Sequence, residues 1–213
     1  LRRTFGAGAF KPLKPFHWFT FFLLFERFKS KSNPEIIRLI NKYKGVSLKA
    51  SAEFSNINDS ECAEYLESMK YDYALFAGVG IVKGGIIGLI KNHCLNAHPA
   101  PLPECRGGGA LECTLYKKIK PSVSVHVATA GIDEGDIFLV KELEMQSNDN
   151  FMTITHKLTE LCAVELVSVC KRLVDQELIS LTPNNGELNF WQDWNFEKQL
   201  CARKNLKEML RNI

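Results

Sequence analysis

The sequence predicts an α/β fold, and three observations carry the prediction. From residue 33 onward, segments with apolar residues at helical spacing alternate with short segments of strand-like composition. Tyr73-Ala74-Leu75-Phe76-Ala77-Gly78 is a short apolar run with the look of a strand buried on both faces. Ser122-Val123-Ser124-Val125-His126-Val127 alternates strictly, with Val123, Val125 and Val127 on one side. His126 therefore faces the other way, and its plain reading is a packed strand histidine.

Each element has a local reason. Asn33 suits an N-cap and Pro34 the first helical position, ahead of Ile36, Leu39, Ile40 and Tyr43 at helical spacing. A short apolar segment, Val46-Ser47-Leu48, follows Gly45, and Asn58-Asp59-Ser60-Glu61 opens a second helix through Lys70. Gly78, Gly80, Gly84 and Gly85 then mark tight backbone beside a strand end, a place where ligands approach main chain in open α/β sheets. Their spacing is not that of a dinucleotide-binding loop. After residue 150, Ile154, Leu158, Leu161, Cys162, Leu166, Val169, Cys170 and Leu173 trace one face of a long helix ending near Asp175. The tail has a turn at Asn184-Asn185-Gly186, a hairpin-like stretch from Glu187 to Trp194, and a charged helix from Glu197 to Leu210.

With 213 residues against roughly 150 per domain, the chain has room for one domain and an appendage. A 46% apolar and 24% charged composition excludes long disorder, collagen or a disulfide miniprotein. The net charge is only +3, yet residues 1–49 hold eleven Lys or Arg against two acids. That quarter would attract phosphates, although a charge run is also the mark of a solvated face. Seven cysteines make no CxxC pair and no zinc spacing, and the odd number speaks against a disulfide framework and for a reducing cytoplasm. Phe16–Phe25 is the most apolar stretch, too short to span a bilayer and followed by no cleavage site. It reads as a buried or partner-facing helix, with membrane-surface contact as the lesser alternative.

Two segments look unlike packing. In the first, Asn96-Ala97-His98-Pro99-Ala100-Pro101-Leu102-Pro103 runs into Arg106-Gly107. Its prolines forbid a helix and favour a rigid extended path, so Asn96 and His98 point to one side. In the second, Gly131-Ile132-Asp133-Glu134-Gly135-Asp136 sets carboxylates on a glycine-flanked turn after the valine strand. An amide donor, an imidazole and a carboxylate are what acyl transfer to an amine requires.

The order N-x-H-P-x-x-L-P, Arg-Gly, then a strand leading into I/L-D-x-G resembles the folate-dependent formyltransferases, whose members include glycinamide-ribonucleotide, methionyl-tRNA and amino-sugar N-formyltransferases. The match falls on Asn96, His98, Pro99, Leu102, Pro103, Arg106, Gly107, Asp133 and Gly135, within a resemblance covering about residues 33–175. It implies a Rossmann-like, mostly parallel sheet flanked by helices, with 10-formyltetrahydrofolate as formyl donor and no metal. The pteridine would lie against Gly78, Val79, Gly80, Ile81 and Val82 and against Ala128, Thr129 and Ala130. Asn96 and His98 would stabilise the oxyanion, and Asp133 would help the amine lose its proton and keep His98 protonated. Pro99, Arg106 and Gly107 would border the substrate. The implied organisation is a basic Phe-rich segment over 1–32, the catalytic domain over 33–175 and a short C-terminal appendage over 176–213.

The acceptor is reached by elimination. Methionyl-tRNA enzymes of the family carry a C-terminal barrel, whereas some thirty-eight residues follow the long helix here. Gly6-Ala7-Gly8 is a poor substitute for the phosphate loop of glycinamide-ribonucleotide enzymes. A small-molecule amine, foremost a nucleotide-linked amino sugar, fits a compact domain with an appendage suited to dimer contacts. The expected partners are thus this small molecule and a second copy of the chain, without nucleic acid or stable membrane insertion. Alternatives are a glycinamide-ribonucleotide acceptor, a hydrolase passing the formyl group to water, and a non-catalytic folate- or protein-binding relative.

Overall fold

The computed structural model describes residues 50–76, 79–190 and 193–213. Outside them lie the Phe-rich stretch, the expected helix over 33–43, the segment 46–48, Gly78 and Trp191. Eleven elements follow in chain order: α1 (Ser60–Met69), β1 (Tyr73–Phe76), α2 (Gly84–Ile87), β2 (His93–His98), β3 (Arg106–Gly107), α3 (Ala110–Tyr116), β4 (Ser122–Val127), β5 (Ile137–Glu142), α4 (Phe151–Val174), β6 (Leu188–Asn189) and α5 (Phe196–Arg211).

The four-stranded sheet has the order β1-β2-β4-β5, and helices flank it, so the α/β class stands. Expected to be mostly parallel, the sheet is mixed among the described residues: β1 and β2 run parallel, while β2/β4 and β4/β5 are antiparallel. The loop from β4 to β5 is too short for the crossover that parallel pairing requires. The prolines also act differently from expectation. The extended path stops at His98, and the chain then turns, with Cys105 N–H donating to the Pro101 carbonyl at 2.9 Å.

Alternation along β2 divides the core. Leu95 and Val125 pack beneath Leu166 and Val169 of α4, whereas Cys94 joins Phe76, Val82, Ile86 and Ile90 on the opposite face. Asn96 and His98 share the parity of Cys94 and so lie on the α2 side. The long helix α4 begins at a capping box, in which Asn150 accepts from Thr153 N–H and the Thr153 side chain answers at the Asn150 N–H.

The C-terminal residues are seated on this body. Ala202, Leu206 and Leu210 of α5 pack with Leu111, Leu115, Ile154 and Leu158, and Asn205 Nδ2 donates to the Leu115 carbonyl at the end of α3. The hairpin expected over 187–194 is replaced by a parallel pairing of β6 with β3. Gly107 makes that pairing fit: its φ is +86°, and a Cβ there would stand 2.5 Å from the Asn189 carbonyl oxygen. Cys105 and Cys113 form a disulfide with Cα atoms 5.7 Å apart, a pairing the odd cysteine number had disfavoured. The turn after His98 brings Cys105 back against α3, which no spacing rule reports.

Candidate active site

One strand register assembles the centre of the site. On β2 and β4, Asn96 lies opposite His126 and His98 opposite Ser124. Side chains directly opposite on an antiparallel pair share a face with Cβ atoms about 4.5–5.5 Å apart. Asn96 Nδ2 accordingly donates to His126 Nε2 at 3.0 Å. The His126 Nδ1 lies 2.8 Å from the Val127 carbonyl, which assigns the ring proton to Nδ1 and leaves Nε2 as acceptor.

Asp133 arrives from the β4–β5 loop. Its Oδ1 accepts from Asn96 Nδ2 at 3.3 Å, and its Oδ2 stands 3.3 Å from His98 Nδ1. His126 Nε2 is 3.5 Å from Oδ1, so three polar side chains of distant sequence origin surround one carboxylate. Gly135 lets the loop close, because a Cβ there would collide with the Val127 carbonyl.

The electrostatics set burial against contact. His98 Nε2 lies 2.8 Å from the Cys105 carbonyl while Nδ1 faces Asp133, and only a doubly protonated ring satisfies both. Burial of the ring opposes that charge and is the larger effect. His98 therefore sits below the ordinary imidazole range although Asp133 and the Cys105 carbonyl pull upward. For Asp133, burial favours the neutral acid. The neighbouring His126 and His98 and the Gly107 backbone N–H outweigh it, and the carboxyl lies below its ordinary range. The result is a carboxylate beside an imidazole that burial biases toward its neutral form and that, once protonated, gives the proton up readily.

Above this cluster opens a small cleft of about 100 Å³. Val79, Gly80, Ile81 and Val82 form one wall and Ala128, Thr129 and Ala130 the other, while Asn96, His126 and Asp133 reach its interior. Backbone and small apolar side chains dominate both walls, a lining that suits a flat ring with polar edges. His98 is absent from the lining and stands behind Asp133.

None of the three residues expected at the substrate, Pro99, Arg106 and Gly107, lines this cleft. Arg106 is committed within the protein: Nε donates to the Ile132 carbonyl at 2.6 Å, Nη1 to the Gly186 carbonyl at 3.2 Å and Nη2 to Glu134 at 2.9 Å. Gly107 offers its N–H to Asp133, and Pro99 lies half-buried just past β2. Arg106 and Gly107 thus brace the acid loop from behind. His126 is the functional residue that sequence reasoning passed over. Its signal was the strict alternation of β4, which put a lone imidazole on the face opposite the valines. Only the β2 register shows that Asn96 waits there. Among the described residues, no group of three His, Cys, Asp or Glu is placed to hold a metal ion, and no helix is long and apolar enough to cross a membrane.

Comparison with known proteins follows the same lines. The sequence model of the family described as formyl transferase matches residues 26–170. A methionyl-tRNA formyltransferase from Sulfurimonas denitrificans is 27% identical over 163 residues, covering 69% of this chain and 53% of that protein. A second, from Ehrlichia canis, is 26% identical over 150 residues, covering 66% of this chain and 49% of its own length. The chain thus spans about half the length of these relatives. In fold it is similar to a sugar N-formyltransferase from a Shewanella species, with a TM-score of 0.57, 14% identity and coverage of 82% and 84% of the two chains. The formyltransferase PseJ from Anoxybacillus kamchatkensis gives a TM-score of 0.51 at 17% identity, over 74% of this chain and 81% of its own.

Proposed function

Because this chain belongs to the formyl transferase family, we propose that its site moves a formyl group from 10-formyltetrahydrofolate to a primary amine. The observation that carries the reading is the Asp133 carboxylate, which meets Asn96 at the floor of the cleft and His98 behind it. The cleft walls over 79–82 and 128–130 would receive the pteridine against backbone. PseJ, which is similar in fold, was crystallised in complex with tetrahydrofolate.

The folate would supply the formyl carbon, and the chain's own residues supply placement and proton handling. Asp133, ionised and lining the cleft, is the acceptor for the proton an attacking amine must lose. His98 stands behind it as the next proton carrier, since its Nδ1 touches the same carboxylate. Asn96 has both amide hydrogens engaged, by His126 at 3.0 Å and by Asp133 at 3.3 Å. It donates to a developing oxyanion by exchanging the longer of these contacts, while His126 keeps the amide aimed. In the transfer the bond from formyl carbon to the donor nitrogen breaks and one to the acceptor nitrogen forms. The amine's proton passes through Asp133 to the departing nitrogen.

For the acceptor, a nucleotide-linked amino sugar is the first reading. It fits the compact arrangement in which α5 closes directly onto the catalytic body, and the basic residues of 1–49 suit a diphosphate. The amine of an aminoacyl-tRNA is the second, favoured by the sequence relatives. The test is formyl transfer from 10-formyltetrahydrofolate to nucleotide-linked amino sugars, glycinamide ribonucleotide and methionyl-tRNA, with formate release measured in parallel. Transfer to one amine supports the reading and selects the acceptor. Formate release without any amine product makes the chain a hydrolase, and a wild type inert toward all of them overturns the reading.

A further inference from the structure

The Asn184-Asn185-Gly186 turn is not needed to end any helix or join any hairpin, yet it lies against the acid loop. The tail from Thr182 to Asn189 runs past that loop and is tied at both ends to the strands beside it. Thr182 and Ile137 exchange backbone hydrogen bonds at 2.9 and 2.8 Å, the Gly186 carbonyl accepts from Arg106, and Leu188 and Asn189 pair with Arg106 and Gly107. Between these ties, Asn184 Nδ2 donates to the Asp133 carbonyl at 2.8 Å and to the Gly135 carbonyl at 3.1 Å. Asn184 is 6% exposed, and two carbonyl acceptors on one nitrogen fix its amide orientation.

Those carbonyls matter because of where Asp133 sits in conformational space. Its φ is +46°, the left-handed region, which is unfavourable for a residue with a Cβ and persists only when the surroundings impose it. The Asp133–Glu134 and Gly135–Asp136 peptide planes are thus held by one amide, which restrains the backbone that directs the Asp133 Cα–Cβ bond. Asn184 itself lines the opposite side of the loop, with Arg106, Glu134 and Asp136, and reaches neither the cleft nor a reacting atom.

We propose that Asn184 is a positioning residue for catalysis, a strap from the C-terminal tail that holds Asp133 in its left-handed conformation and aims its carboxylate at Asn96 and His98. This rests on the formyl-transfer reading for its kinetic consequence, but not for its geometric one. Asn184→Asp preserves volume and turns an oxygen toward two carbonyl oxygens. Asn184→Ala removes the donor without that repulsion and serves if the aspartate variant fails to fold. A misplacement of the catalytic group on the scale of an ångström costs up to about a hundred-fold.

The experiment measures kcat and KM for both variants alone and in an Asp133→Asn background, and follows the His98 ring signals by NMR across a pH titration in the full chain. The expected result is a kcat roughly ten- to a hundred-fold lower with KM little changed, Asn184→Asp being the worse. In the Asp133→Asn background the added loss falls below about two-fold, since residues acting through one group are not additive. The His98 titration moves toward that of Asp133→Asn. An equal loss in both backgrounds assigns Asn184 a merely structural role and overturns the proposal, as does retention of wild-type kcat. If wild type transfers no formyl group at all, the functional reading falls while the titration still decides the strap: a His98 curve unchanged in both Asn184 variants refutes it.

Discussion

Replacing Asp133 with asparagine tests the site at its centre. The substitution keeps the shape of the side chain and one acceptor oxygen but removes the charge that Asn96, His98, His126 and the Gly107 N–H surround. With 3.3 Å between His98 Nδ1 and the carboxylate, a protonated ring gains about 5 kcal/mol from the charge at an effective dielectric of about 20. Relaxation of the neighbours recovers part of this. Loss of an acid–base partner costs about 10²–10⁴ in rate, or about 2.7–5.5 kcal/mol at 1.36 kcal/mol per decade. The Coulomb figure falls inside that interval, so the expected drop in kcat/KM for Asp133→Asn is 10²–10⁴-fold. The assay is formyl transfer to whichever amine the wild type accepts, with the melting temperature measured alongside. Asp136 lies three residues on and is exposed, so Asp136→Asn is the internal control. A folded Asp133→Asn variant within ten-fold of wild type, or an equal loss in Asp136→Asn, would refute the reasoning.

Three further expectations follow from the same structure. His126→Ala releases the Asn96 amide and lowers kcat/KM roughly ten- to a hundred-fold; combined with Asn96→Ala it adds little more, and full additivity in the double variant would show that His126 does not act through Asn96. Stability falls with acid in two windows. Burial holds the folded His98 pKa below the unfolded value of about 6.5, so as pH drops from there toward the folded value the unfolded chain binds the extra proton and gains. The depressed Asp133 pKa adds stability that is full above the unfolded value of about 3.9 and is lost as pH falls through the folded value. Urea titrations should show the first slope abolished in His98→Asn, and an unchanged slope would contradict the burial argument. Leu206→Ala, at a site 4% exposed between α5 and α3, should cost about 2–5 kcal/mol, whereas a cost under about 1 kcal/mol would mean that α5 is not part of the core.

Much of this molecule was legible in its sequence, and what was legible was local. The helix of residues 151–174 follows from its apolar stripe and its Asn150 cap, and β4 follows from the alternation of Val123, Val125 and Val127. The motif residues Asn96, His98 and Asp133 were found because a proline-rich N-x-H-P stretch and a glycine-flanked turn are short-range signals. The strand β5 was missed: its residues Ile137–Glu142 lose their apolar character after Leu139 and Val140, so no period stands out. His126 was read correctly as a buried strand residue, yet its partner was invisible. Arg106 was expected to face a substrate and is spent on Ile132, Gly186 and Glu134, because a guanidinium takes whichever carbonyls the fold brings to it.

The amino-acid order alone determined which segments would be helix or strand and which residue types would be at hand for chemistry, because periodicity and backbone stiffness act over a few neighbours. Only the tertiary structure decided that His126 would stand across from Asn96, that the β4–β5 pairing would run antiparallel, and that a tail some fifty residues beyond Asp133 would hold its carbonyl. Those outcomes depend on strand register and loop closure. Both are settled by the joint burial of distant segments, to which no short window of sequence has access.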